Sequence, residues 1–454
     1  MIILKLGLCS GFIMPMVRPL KNKTVNYLYY TFIIPFVVYL FFSYGGSQQG
    51  LFSSYGMLLI TLVVLLWMPT IYARYQRSYW NNFPLYSLRL SLLLLFLFMV
   101  FNSHSMMMLF VFFELTLIPI LAILFIGGRS IKKLEAGLYI FIFTRSTAFL
   151  FLAFLIYNSL VQHGTSHFII ISSMPYDSSL EVLTMHETSI SVLIYNLATI
   201  VILVKSPLFL VHMWLPKAHV EAPVFASIIL ASLMLKTGGY GYFIIFISYF
   251  GAIAQFNYLV PTFLLMSIFA AIRCSSQIDV KMLIAYSSVS HIRVMLCGII
   301  LGLRSSSLGR MIVITAHGII SSALFFLART TYAQIRTRSS IFSLLLGKSN
   351  INILAWLLMT LINAGLPPFL MFSGEVLIIQ AALMHPLLIF LFFVNYILIG
   401  YYSCLILTKL VLSRFPLNVG RLINVGLTPY ICNTVVLMHL SVLFNITISY
   451  PWIR

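Results

Sequence analysis

Long apolar runs alternate with short polar ones along the whole chain. The apolar runs fall near 2–17, 25–43, 56–73, 85–101, 106–126, 134–157, 190–212, 222–243, 255–272, 281–302, 311–328, 351–378, 386–411 and 431–450. Most approach or exceed the ~20 residues that a helix needs to cross a ~30 Å hydrocarbon layer. None shows the two-residue alternation of a membrane barrel, and in lipid each segment must satisfy its own backbone polar groups. The pattern therefore predicts an all-α polytopic membrane protein with about fourteen transmembrane helices. The first run lacks the basic start and small-residue cleavage site of a signal peptide, so it is expected to be a retained span. The runs at 222–243 and 255–272 nearly merge, which makes that division the least sharp.

The polar stretches support the same count. Loops after odd-numbered spans hold the basic residues: Arg18, Lys21, Lys23, Arg74, Arg77, Arg129, Lys132, Lys133, Lys217, Arg273, Lys281, Arg329, Arg336, Arg338, Lys348, Arg414 and Arg421. Loops after even-numbered spans hold only Arg304 and Arg310, and the longest of them, 158–189, carries Asp177, Glu181 and Glu187 with no Lys or Arg. Such one-sidedness is the positive-inside rule, and it predicts both termini on the outer, acidic side. The net charge of +19 is thus topology control spread over short loops, and no nucleic-acid surface is expected. Composition agrees: 61% hydrophobic and 8% charged residues exclude a soluble globular protein.

Two spans carry breaks. Span seven is interrupted at Lys205-Ser206-Pro207, and span twelve at "NAGLPPFLMFSGE", with Gly365, Pro367 and Pro368. Proline removes a backbone donor and clashes with the preceding turn, so both helices should open inside the membrane. Spans four to eight and nine to thirteen form two groups of five, and an odd number of crossings inverts the second copy. Each broken helix is then the fourth of its group, the arrangement that marks a transport site near the midplane. The expected organisation is spans one to three in 1–84, a first repeat in 85–250, a second in 251–411 and a last helix in 412–454.

Charge inside lipid costs ~3 kcal/mol per residue on insertion scales. Glu114, Lys205, Lys236, Arg145, Arg293 and Glu375 nevertheless stand within spans. Residues of this kind pair with one another or line a wet cavity, and a buried lysine–glutamate set suits a proton path. The alternatives are a structural ion pair or, for Lys236 near an apparent span end, a side chain reaching up to the interface. His291 and His317 are also mid-span, where imidazole both gives and takes a proton. His212 lies two nominal helical turns from Lys205, and His219 is placed in the loop that follows, with Lys217 and Glu221. No metal-ligand spacing is present, and Cys9, Cys274, Cys297, Cys404 and Cys432 are scattered without a CxxC pair. "GGYGYF" follows a membrane helix, not a strand, so it is no dinucleotide fingerprint.

Six segments together resemble a known family: "FELTLIP", "LVKSPLFLVHMWLPKAHVEAP", "LKTGGYG", "DVKMLIAYSSVSHI", "AHGIISSALF" and "LPPFLMFSGE". They resemble the antiporter-like membrane subunits of mitochondrial NADH–ubiquinone oxidoreductase, respiratory complex I, which are related to Mrp cation/proton antiporters. The resemblance covers most of residues 85–410. It implies a proton-translocating membrane-arm subunit in the mitochondrial inner membrane, with basic loops in the matrix and sister antiporter-like subunits as partners. NADH, flavin, iron–sulfur clusters and ubiquinone would be bound by other subunits, with no cofactor in this chain. The compact chain without a presequence is what a product made inside the organelle would show. A free-standing cation/proton antiporter is the alternative.

The resemblance also implies roles. Glu114 would pair with Lys205, Lys236 would be the central lysine, His291 and His317 would belong to the polar axis, and Glu375 would stand where sister subunits usually carry lysine. There are departures from the family pattern: Ile131-Lys132-Lys133 replaces Pro-Glu-Arg, Ser276 replaces an arginine, and Ser206 stands for a larger residue. Arg145 and Arg293 occupy positions that are ordinarily small or apolar. Either they line hydrated cavities or their codons are read as serine in the native organelle.

Overall fold

The structure is a computed structural model that describes residues 83–103, 105–127, 132–161, 198–199, 201–207, 211–248, 256–335, 350–383 and 385–410. The predicted spans at 2–17, 25–43, 56–73 and 431–450, and most of the acidic loop 158–189, lie outside these residues. Among the described residues regular structure is helical, with no β-strand. The helices are α1 (Phe83–Phe101), α2 (Met106–Gly127), α3 (Lys132–Val161), α4 (Trp214–Glu221), α5 (Val224–Ile229), α6 (Leu235–Ser248), α7 (Phe256–Ser275), α8 (Val280–Ile300), α9 (Arg304–Ile335), α10 (Asn350–Asn363), α11 (Leu370–Ala381) and α12 (Pro386–Leu410). A π-helical turn, Leu230–Met234, stands between α5 and α6. Among the described residues six stretches are long and apolar enough to cross a membrane.

The chain clusters into two compact units. In the first, α2 packs against α1 and α3, and α5 also touches α2. The second holds residues 202–220 and the chain from Leu230 onward. There α8 runs between α7 and α9, α9 packs on α10 and α11, and α12 closes against α7 and α10. The outer face of α12 presents Leu387, Phe390, Phe393, Ile397 and Tyr401, while Asn395 and Tyr402 point inward. Apolar outside and polar inside is the reverse of a soluble helix, and it is stable only with hydrocarbon as solvent. By contrast, α8 is buried along its whole length, so it can carry polar residues. Its serines satisfy themselves on their own helix: Ser287 and Ser290 each donate to a carbonyl one turn back, at 2.8 Å.

Both predicted breaks are present. Residues 201–205 are helical, Ser206 and Pro207 form a turn, and α4 begins only at Trp214. Pro207 has no N–H for the carbonyl of Leu203, and the Ser206 hydroxyl donates to that carbonyl instead, at 3.2 Å. A Cβ on Gly238 would lie 2.9 Å from the Ser206 nitrogen, so only glycine lets α6 approach this opened backbone. At the second break α10 stops at Asn363 and α11 starts at Leu370. Gly365 takes φ +68°, the left-handed region natural to glycine, and Tyr396 donates to its carbonyl at 3.0 Å.

Two expectations are corrected. Residues 214–221 are a buried helix and not a loop. Pro216 does not prevent it, because it falls in the first turn, where backbone N–H groups have no intrahelical partner. Arg310 is likewise no loop residue: α9 extends well past the predicted 311–328, and Arg310 is buried within it. Its guanidinium stands 3.6 Å from the Phe243 ring centroid, a cation–π contact that offsets the loss of water.

Candidate functional site

Lys236 is the second residue of α6, directly after the π turn, and it is 1% exposed in the middle of the span Val224–Ile245. It does not reach an interface, contrary to that alternative for a lysine near a span end. Its ammonium donates to the Ala231 carbonyl inside the π turn and stands 2.9 Å from Nδ1 of His317 on α9. The His317 and His291 ring centroids are 5.6 Å apart. His291, on α8, places Nδ1 3.4 Å from Oε1 of Glu375, within ion-pair distance though not aligned as a hydrogen bond. On its other side, Nε2 of His291 is 3.0 Å from the Tyr402 hydroxyl on α12. Lys236, His317, His291 and Glu375 thus form one buried file across α6, α9, α8 and α11.

The second break shapes the end of that file. Glu375 is 4% exposed, and a Cβ on Gly365 would lie 2.9 Å from its Oε2. The bare glycine at the break therefore gives the carboxylate its room.

Each direction of hydrogen bonding in the file corresponds to one set of proton positions. With Tyr402 donating to Nε2, His291 carries its proton on Nδ1, facing Glu375. With the Lys236 ammonium donating to Nδ1 of His317, that imidazole carries its proton on Nε2. A proton moving from Lys236 to Nδ1 turns His317 into an imidazolium and leaves a neutral amine. Two full positive charges at this separation repel, so the pair suits one mobile proton at a time.

Lys205 is buried at the last helical residue before the first break. Glu114 lies in mid-α2, its side chain 11% exposed, with Oε2 3.3 Å from the Arg145 guanidinium of α3. That ion pair was not foreseen, although both charges were recognised. Glu114 belongs to the first compact unit and Lys205 to the second. His212 is buried edge-on to Tyr286, with centroids 5.6 Å apart. Its nominal alignment with Lys205 does not apply, because the helix ends between them. His219 is fully buried and stacks on Phe325 at 4.8 Å, and neither ring nitrogen has a hydrogen-bond partner among the described residues. Among the described residues no group of three or more His, Cys, Asp or Glu side chains is arranged to hold a metal ion.

Arg293 completes the set. It is 0% exposed on α8 and donates one hydrogen bond to the Met266 carbonyl of α7 and another, at 2.8 Å, to the Pro207 carbonyl.

Comparison with known proteins identifies the kind of chain this is. The transmembrane family of NADH:quinone oxidoreductase and Mrp antiporters matches residues 103–400. NADH-ubiquinone oxidoreductase chain 4 of Ceratitis capitata is 34% identical over 338 residues, covering 72% of this chain and 71% of that one. The protein of the same name from Myxine glutinosa is 32% identical over 431 residues, covering 90% of this chain and 89% of that one. In three dimensions the chain is similar to one in respiratory complex I from Thermus thermophilus with bound NADH, at a TM-score of 0.71. That likeness has 24% identity and covers 86% of this chain and 80% of the other.

Proposed function

The chain belongs to the NADH:quinone oxidoreductase/Mrp antiporter transmembrane family, and on that premise we propose that it works as a proton-translocating membrane-arm subunit of NADH:ubiquinone oxidoreductase. It is a multi-pass protein of the inner membrane and sits beside sister antiporter-like subunits. Flavin, iron–sulfur clusters, NADH and ubiquinone belong to other chains of the complex. The proposal includes fourteen spans in all, inverted five-helix repeats at 85–250 and 251–411, and both termini on the intermembrane-space side.

The observation that carries the mechanism is the buried file Lys236–His317–His291–Glu375, linked by contacts of 2.9 Å, a pair of adjacent imidazoles and a 3.4 Å contact. Redox energy released elsewhere shifts the proton held by Glu114 and Lys205. The change in field drives the Lys236 proton onto His317, then by way of His291 toward Glu375. The breaks at Pro207 and Pro367-Pro368 let water reach the two ends. Lys217, His219 and Glu221 line the entrance side, and His212 is a secondary residue beside the first break.

Lys205→Ala and Glu114→Ala test this reading in the assembled complex. Proton pumping in sealed vesicles, and the quinone reduction coupled to it, should fall while blue native gels show normal assembly. Normal pumping in assembled variants refutes the relay. A purified chain that exchanges sodium for protons without partners would favour a free-standing antiporter, the other function named in the family.

A further inference from the structure

We propose that Arg293 is a positioning residue for proton translocation, holding open the helix break beside Lys205. The inference rests on the relay reading and adds a component to it. When a helix ends inside lipid, the carbonyls of its last turn lose their backbone donors, and no bulk water replaces them. At the first break the Leu203 carbonyl is served by Ser206, but the Pro207 carbonyl lies two residues beyond Lys205, where the helix has already ended. The Arg293 guanidinium donates to it at 2.8 Å and, with another nitrogen of the same fork, to the Met266 carbonyl. A planar, permanently charged fork is suited to bridging two fixed acceptors in this way. The second break uses the same device with a neutral donor, Tyr396 on the Gly365 carbonyl.

Two consequences follow. The broken segment after Lys205 is tied to α7 and α8, so Lys205 is presented from a fixed backbone. A cation is also built into the break, two residues along α8 from His291.

The test uses the intact complex carrying Arg293→Met, which keeps length without donors, Arg293→Lys, which keeps charge and donors, and Lys205→Ala. Arg293→Met should lower the pumping rate about tenfold, as expected for loss of a charged hydrogen bond, and Arg293→Lys, which keeps the charge but reaches only one of the two carbonyls, should fall between Met and wild type. Wild-type pumping by an assembled Met variant overturns the proposal, as does a Lys variant no better than Met. If Met blocks assembly, density for the unmodified complex decides. The guanidinium within hydrogen-bond distance of both carbonyls supports the proposal, and water in its place overturns it. Serine at position 293 by peptide mass spectrometry of the native chain overturns it too. Normal pumping by Lys205→Ala sinks the relay instead, whereas a defective Lys205→Ala beside a normal Arg293→Met sinks only this inference.

Discussion

Nζ of Lys236 lies 2.9 Å from Nδ1 of His317, and both side chains are buried. In the proposed relay Lys236 is the neighbour that supplies the proton to His317. Lys236→Met, which keeps the volume and removes the proton, should lower proton pumping on the order of 10²-fold. Vesicle acidification measured beside NADH oxidation checks this, and a pumping ratio equal to wild type would take Lys236 out of the path.

The Tyr402 hydroxyl meets Nε2 of His291 at 3.0 Å, across the ring from the nitrogen that faces Glu375. Tyr402→Phe removes one hydrogen bond, worth ~1 kcal/mol, and frees the imidazole to put its proton on either nitrogen. Pumping should slow several-fold without being lost. A variant indistinguishable from wild type would mean that the tautomer is set elsewhere.

The close approach of α9 and α11 rests on glycine. A Cβ on Gly374 would lie 2.8 Å from a Val313 methyl and 3.0 Å from the Gly309 carbonyl, and backbone does not yield as a flexible side chain does. Gly374→Ala should cost ~1–3 kcal/mol and push the adjacent Glu375 away from His291. Thermal inactivation of the complex would read the first effect and pumping the second, and an alanine variant of full stability would show that the helices can separate freely.

Arg145 contacts Glu114 through one guanidinium nitrogen at 3.3 Å, and its side chain is 51% exposed. Arg145→Leu removes the cation paired with Glu114 inside a span, where water does not screen the pair, so pumping should fall several-fold without being lost. Glu114→Ala should stop it. If both variants fail to the same depth, Arg145 is part of the relay and not a neighbour of it.

Much of this was legible in the chain because hydrocarbon leaves few choices. Apolar runs had to be helices, and prolines at 207, 367 and 368 had to open them. The mid-span charges Lys236 and Glu375 and the mid-span histidines His291 and His317 stood out against lipid. What stayed hidden depended on position along and around a helix. Pro216 reads as a terminator but falls in the first turn of α4, so His219 appeared to sit in a loop. Arg310 reads as the edge of a loop, yet Phe243, distant in sequence, supplies a face for its guanidinium. The Arg145–Glu114 and Arg293–Pro207 contacts join residues 31 and 86 positions apart, and no local pattern announces such partners.

The π turn Leu230–Met234 takes up one residue without re-aiming the helix that follows it. An α-helix advances about 100° per residue, and a π turn takes in one residue more than an α turn spans. Deleting a single residue from 230–234 would let the turn close to α geometry and leave the helix after it pointing nearly as before. Lys236 would still face His317 but would lose the widened turn whose Ala231 carbonyl it now reaches. The acceptor beneath this charge is thus written in a count of residues, and a deletion that removes no charged group is enough to take it away.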